Sequence, residues 1–375
     1  MVRFKKTILA LVIIALAAIS LLYLLPQKQP IKVGFIADLS SKRSQLGIAG
    51  RNGAILAVNE INAKGGVNGR NLELIISDNQ AQKDIAARQA SDLVKQGAEV
   101  IIGPLLSAMA QPIINAVKDK DMLIISPTVS TDKLTAIDDN FLRVIPHASQ
   151  QGEALARIAA KKQIGNVFII RDKRNDEYTS SVSNAFKSNA KQLMIDVIDD
   201  ISFEDSDKYS QFVENLIDIQ PEGILFISSG VDAGRIAQRY KQKGGTAQMF
   251  GSSWCKVTNV HIYGGRAVEG MIIVDSFGNR EKAARELAFD SSHQKQFGHK
   301  PNLPARHSYE AVQIYALGVA MAKTTETRKV KQSILEIDPI EGVADKYRLD
   351  KYGDVERKLS LYVIKDREYQ LLNGE

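Results

Sequence analysis

Three small hydroxyl residues, Ser107, Thr128 and Ser130, have the clearest chemical use in this chain. Each stands beside the expected start of a helix, just beyond a short apolar run. At such a place a hydroxyl, unpaired backbone N–H groups and the positive end of the helix dipole can together hold a carboxylate without a formal positive charge. The same positions also suit N-capping, in which Ser107 and Ser130 would only satisfy the backbone of their own helices. On the residues alone both uses stand open. Lys42 and Arg43 lie on another loop of this kind, at 38–45, where they would either favour an anion or form a solvated lip, the commoner fate of such side chains. Catalysis has less support. His147, His261, His293, His299 and His307 show no zinc spacing, and no Gly-x-Ser-x-Gly elbow occurs. The single cysteine, Cys255, has no evident histidine partner and can build neither an internal disulfide nor a metal cluster. Gly47, Gly50 and Gly53 recur along one side of an expected helix and follow the first strand too distantly for a dinucleotide fingerprint. The residues therefore favour a binding protein over an enzyme, with no metal and no cofactor.

Loops of this kind need a scaffold that gathers strand ends. From 31 to 80 the chain reads as one strand–helix–strand unit: an apolar β-branched run at 31–37, then Leu46, Ala49, Ala54, Ala57, Val58 and Ile61 at three- and four-residue steps, then a buried run at 72–77. Gly65 and Gly66 end the helix. A right-handed crossover between the two strands implies a parallel sheet. The alternation continues through 82–145 and begins again at 153, with strands expected at 167–170, 193–198, 223–227, 248–250 and 271–274. Helices at 280–296, 305–322 and 330–337 would return to the first lobe, and the tail reads as short antiparallel strands. The fold class is α/β, with two doubly wound parallel-sheet lobes. The expected division is an N-terminal segment at 1–30, a first lobe at 31–147 with 277–341, and a second at 148–276 with 342–375.

With 375 residues, 44% hydrophobic and 25% charged, the chain is long and apolar enough for two cores. Its net charge of +6 is spread along the chain, with no basic stripe interleaved with aromatics, so nucleic acid is not an expected partner. Residues 7–25 form an almost unbroken apolar run behind Arg3, Lys5 and Lys6, close to the length that crosses a bilayer. A cleaved signal peptide and an uncleaved signal anchor both fit, and both place the rest outside the cytoplasm. The run continues through Leu21–Leu25, past the small-x-small site at Ala18-Ile19-Ser20, which favours the anchor. No cysteine follows it, so a lipoprotein is not expected.

The segment Ala-Val-Asn-Glu-Ile-Asn-Ala-Lys-Gly-Gly-Val-Asn-Gly-Arg, Ala57 to Arg70, followed by a strand ending in Asp78, resembles the opening of type I periplasmic binding proteins. It is most similar to the branched-chain (Leu/Ile/Val) amino-acid receptors of ABC transporters, and the likeness runs from Ile31 to Leu372. That resemblance implies two lobes joined by three hinge crossings, placed near His147, Ser276 and Glu341, which close on a ligand. In those receptors the loops matching GPLLSAMAQP and ISPTVSTDKLT carry the ligand's α-carboxylate, which implies that role for Ser107, Thr128 and Ser130. Tyr178, in RDKRNDEYTS, matches a tyrosine that closes over the ligand. Elsewhere the pattern departs: a family aromatic falls at Leu46, another near Ser229 or Gly230, and the acid that receives the ammonium group falls at Ser253. Asp232 could supply that counter-charge or cap its own helix. Trp254 could wall the pocket or sit in a core. The resemblance implies an extracytoplasmic protein that captures a small polar ligand, an amino acid or related carboxylate, and works with an ABC permease. The alternative is a membrane-anchored domain that presents its ligand-closed form to a signalling partner.

Overall fold

The computed structural model describes residues 28–41, 44–257, 259–275 and 283–372. The expected membrane segment at 7–25, Lys42, Arg43 and the crossing near Ser276 lie outside the described residues. The first sheet is five-stranded and wholly parallel, in the order β2-β1-β3-β4-β5. Its strands are β1 (Ile31–Ala37), β2 (Leu72–Asp78), β3 (Val100–Ile102), β4 (Ile124–Ser126) and β5 (Phe141–Arg143). Because alternate side chains of a strand point to opposite faces, Val33 and Phe35 enter one core and Ile36 another. A parallel strand covered on both faces is largely apolar, which is why β3 is a continuous hydrophobic run and β1 and β4 are broken only by Lys32 and Ser126.

The three glycines at steps of three find their physical reason here. They lie in α1 (Gln45–Ala63), which packs against a later helix at Leu303–Ala322. A Cβ on Gly53 would stand 1.9 Å from the Ala305 carbonyl oxygen, and one on Gly47 would stand 1.8 Å from that of Asp38. The stripe lets backbones approach closely and has nothing to do with a nucleotide.

The second sheet has seven strands in the order β15-β14-β10-β9-β8-β6-β7. Its parallel part comprises β6 (Asn166–Asp172), β7 (Asp196–Phe203), β8 (Gly223–Ile227), β9 (Gln248–Gly251) and β10 (Ile272–Asp275). It too is covered on both faces by separate apolar cores. The helices of the first two-thirds after α1 are α2 (Lys83–Lys95), α3 (Ala110–Val117), α4 (Ser149–Lys161), α5 (Asp176–Gln192), α6 (Tyr209–Ile219) and α7 (Gly230–Gln242). Two short helices that the periodicity did not announce follow, α8 (Ser253–Val257) and α9 (Val260–Gly264). Then α10 (Ala284–Phe297), α11 (Leu303–Ala322) and α12 (Thr327–Leu335) pack on the first lobe.

The tail departs from the expected division at 341/342. A small antiparallel sheet of β11 (Ile340–Glu341), β12 (Lys346–Leu349) and β13 (Val355–Glu356) puts Tyr347, Leu349 and Val355 into the first lobe's core. The Gly353 carbonyl accepts from Arg143 N–H at 3.1 Å and so covers the edge of β5. Arg143 itself is fully buried and donates to Asp354 at 2.7 Å and Thr131 O at 3.0 Å. Only β14 (Ser360–Lys365) and β15 (Glu368–Leu371) join the second sheet, antiparallel to β10 and to each other. The last crossing therefore lies at 357–359, past the Glu341 position expected for it. Apolar alternation identifies a strand but does not say which of two sheets will take it.

At that crossing Arg357 is buried. Its guanidinium donates to Glu310 at 2.8 Å and Val144 O at 2.8 Å, pairs with Asp345 at 3.1 Å, and lies 3.9 Å from the Tyr347 ring centroid.

Candidate functional site

Strand ends of both lobes meet at a small, partly open cavity of about 30 Å³, room for roughly one water molecule. From the first lobe it is lined by Leu46, in the first turn of α1, and by Thr128 and Ser130, on the loop after β4. From the second come Tyr178 on α5 and Ser253 and Trp254 on α8. Leu105, Leu106, Ile145, Asn175, Val257 and Leu303 complete the wall and were not singled out by the sequence. Ile145, Leu303, Val257, Leu46 and Trp254 also form an apolar cluster that spans both lobes.

The three hydroxyl residues divide the work. Ser107 is buried and accepts the Ser130 backbone N–H at 3.2 Å, so it shapes the loop behind the cavity and does not line it. Thr128 gives its proton to the Leu105 carbonyl at 2.6 Å and ties the two first-lobe loops together. The Ser130 hydroxyl lines the cavity and, among the described residues, is engaged by no hydrogen bond. Neither serine is an N-cap: Leu106 precedes the short turn at Ser107–Met109, and Thr131 caps the one after Ser130.

Across the cavity, Tyr178 donates its hydroxyl to Gln151 Oε1 at 3.0 Å, and the Ser253 N–H reaches the same oxygen at 3.0 Å. Gln151 thus fixes both residues from α4. The Tyr178 and Trp254 rings meet edge to face, 6.1 Å apart at 75°. Burial pushes the Tyr178 hydroxyl up to about 12, so it stays a donor at any physiological pH. Asn175 bridges the lobes: its Oδ1 accepts Ala108 N–H at 3.0 Å, and no hydrogen bond among the described residues engages its amide N–H₂. Lys83–Glu177 at 3.1 Å and Asp132 N–H to Ser181 Oγ at 3.2 Å add further contacts between lobes.

Asp232 does not reach this cavity, which corrects its nomination as an ammonium acceptor. It is fully buried at the start of α7, where Ser229 is the N-cap and accepts its N–H at 3.3 Å. Its carboxylate accepts from Ser229 Oγ at 2.8 Å and from the Tyr209 hydroxyl, and it pairs with Arg174 at 2.8 Å. Arg174 also binds Asp172, so one guanidinium answers both buried carboxylates. Ser229 caps α7, and the Asp232 carboxylate is spent on the side chains of Ser229, Tyr209 and Arg174. The histidines converge on no cation site: among the described residues no group of three His, Cys, Asp or Glu could hold a metal ion. Burial pushes the Cys255 thiol up to about 12 and keeps it protonated. Among the described residues, no charged side chain lines the cavity.

Known proteins share this architecture. The profile of the family described as "Periplasmic binding protein" matches residues 30–368. The Leu/Ile/Val-binding protein BraC3 of Rhizobium johnstonii is 26% identical over 314 residues, covering 82% of this chain and 83% of its own. The leucine-, isoleucine-, valine-, threonine-, and alanine-binding protein of Pseudomonas aeruginosa is 24% identical over 335 residues, 87% of each chain. Among solved structures, a leucine binding protein from Thermotoga maritima superposes with a TM-score of 0.83 at 20% identity, over 91% of this chain and 97% of its own. A solute binding protein of an ABC transporter from R. palustris, in complex with benzoate, does so with a TM-score of 0.82 at 19% identity, over 92% and 95%. At such identity these superpositions speak for the fold.

Proposed function

The chain belongs to the periplasmic binding protein family, and from that premise we propose that it is a non-catalytic solute-binding protein. It captures a small polar ligand, an amino acid or related carboxylate, between its lobes and delivers it to an ABC permease. The observation that carries this reading is the cavity that Ser130 and Leu46 of one lobe share with Tyr178, Ser253 and Trp254 of the other. A ligand that touches both walls stabilises the closed arrangement by its differential affinity for it. With about 30 Å³ available, the lobes must part to admit even a small amino acid. Ser130 gives its hydroxyl to the ligand carboxylate, Ser107 and Thr128 hold the loops that present it, and Tyr178 with Trp254 closes the opposite side.

Trp254 is the one tryptophan in the chain and sits in the cavity wall, so its intrinsic fluorescence reports occupancy. Titration with a carboxylate ligand should shift that emission with single-site saturation. Ser130→Ala should weaken binding by about 2 kcal/mol, roughly 30-fold, the loss of one hydrogen bond to a charged group. Equal affinity in the variant and the parent would remove Ser130 from the carboxylate contact.

The family is periplasmic, and among the described residues no helix is long and apolar enough to cross a membrane. The tether belongs to residues 7–25, whose apolar run supports retention at the inner membrane. Membrane fractions should hold a chain with its N-terminus intact; a soluble periplasmic form beginning at Leu21 or Pro26 would refute the tether.

A further inference from the structure

We infer that the ligand is an organic acid with an apolar body and no amino group; this narrows the proposed function and rests on it. Much of the cavity wall is hydrocarbon or aromatic, from Leu46, Leu105, Ile145, Val257, Leu303 and Trp254. The polar groups left available there are neutral and include hydrogen-bond donors. Among the described residues no hydrogen bond engages the Ser130 hydroxyl or the Asn175 amide N–H₂, whereas the Asn175 oxygen already accepts from Ala108 N–H. The Gln151 oxygen behind the wall is taken twice, by Tyr178 and by the Ser253 N–H. Neutral donors suffice for a carboxylate, which is acceptor-only when ionised.

An α-ammonium group has the opposite need. It carries three donors and a full positive charge, and out of water it requires acceptors and a counter-ion. No carboxylate lines the wall among the described residues. The buried acids of the second lobe, Asp172 and Asp232, are both bound by Arg174 and are committed to holding α7 and the loop before α5. At Ser253 the wall offers a small neutral hydroxyl residue. A leucine-sized acid without its amine can meet the apolar wall and the neutral donors and avoids the unpaired charge.

The test uses the full-length chain in mild detergent and calorimetric titration with matched ligands: 4-methylpentanoate against leucine, 3-phenylpropanoate against phenylalanine, benzoate, and 4-methylpentanamide. The acids should bind at least roughly tenfold more tightly than the corresponding amino acids. Ser253→Asp, which places a carboxylate on the wall, should narrow or reverse that preference. Leucine or phenylalanine binding as tightly as its desamino partner would overturn the inference and leave capture in the cleft intact. The amide binding as tightly as 4-methylpentanoate would overturn the carboxylate requirement. If no member of the panel binds, the inference falls; if sugars, polyamines and short peptides also leave Trp254 emission unchanged, the proposed function falls with it.

Discussion

Replacing Arg357 with methionine is expected to lower the free energy of unfolding by about 3–5 kcal/mol, the usual cost of stranding a buried charge partner. The loss would come from what remains behind more than from what is removed. Glu310 and Asp345 both pair with this guanidinium, at 2.8 and 3.1 Å, and Glu310 is buried. Without the arginine the buried Glu310 carboxylate loses its counter-ion beside the half-buried Asp345, and the Val144 carbonyl loses its 2.8 Å donor. The flat stack on Tyr347 is lost as well. Arg357→Lys should recover only part of the stability, because an ammonium cannot present the planar fork to several acceptors at once. Urea unfolding measures the change, and in a cycle with Glu310→Gln the two losses should be strongly non-additive. A loss below about 1 kcal/mol would mean that water enters the cluster and solvates the acids.

The same cluster sets a response to acid. Burial alone would raise the Glu310 carboxyl, but the Arg357 charge, helped by the Val343 N–H, brings it down to about 2 from its ordinary 4.5. Since the folded value lies below the unfolded one, protons bind the unfolded chain more readily. The stabilisation is therefore complete above about pH 4.5 and is lost as the pH falls toward 2. The shift corresponds to about 3 kcal/mol. His307 acts in the same direction over a higher range. Burial lowers its pKa below the ordinary 6.5, and its Nδ1 accepts from Arg357 at 2.9 Å, so the folded ring stays neutral while the unfolded one takes up a proton. Stability measured by chemical denaturation should decline from about pH 6.5 downward and steepen below about pH 4.5. Glu310→Gln should flatten the lower limb, and an unchanged lower limb would place the responsible carboxyl elsewhere.

Much of this fold was readable from apolar spacing because most strands are covered on both faces. Runs such as 100–102 and 223–227 have no polar face to confuse them, and they appear as β3 and β8 with those bounds. The strand expected at 193–198 instead spans Asp196–Phe203. Leu193 and Met194 looked like its start, yet Met194 turns the chain with φ at 58° and is 90% exposed. As an outer strand, β7 has a wet face, and its aspartates hid it from a hydrophobic reading. The site was half readable. Hydroxyls beside helix starts marked the first lobe, while the second lobe's wall rests on α8, too short for any periodic signal. Asn175 and Gln151 bear on the site through single amide oxygens held by the packing of separate elements, which no local pattern encodes. Gln151 carried one faint sign, a long polar side chain on the apolar side of α4. Asp232 misled because an acid at a helix start can be consumed by neighbouring side chains, here Ser229, Tyr209 and Arg174, as readily as it can face a ligand.

The outermost strands also bear on how copies of this protein meet. A sheet edge with free N–H and C=O groups is a template for another chain, and solubility depends on blunting it. Here β7 exposes Asp196 and Asp199, β2 exposes Glu73, and β15 exposes Glu368. The other edge of the first sheet, β5, has Gly353 laid over it, a glycine at φ 90° whose Cβ would collide with Leu142 at 2.1 Å. Two molecules approaching through the edges of the two large sheets would set like charges against each other at three of them and meet an occupied strand at the fourth. Self-association is discouraged without a residue of the ligand cavity taking part.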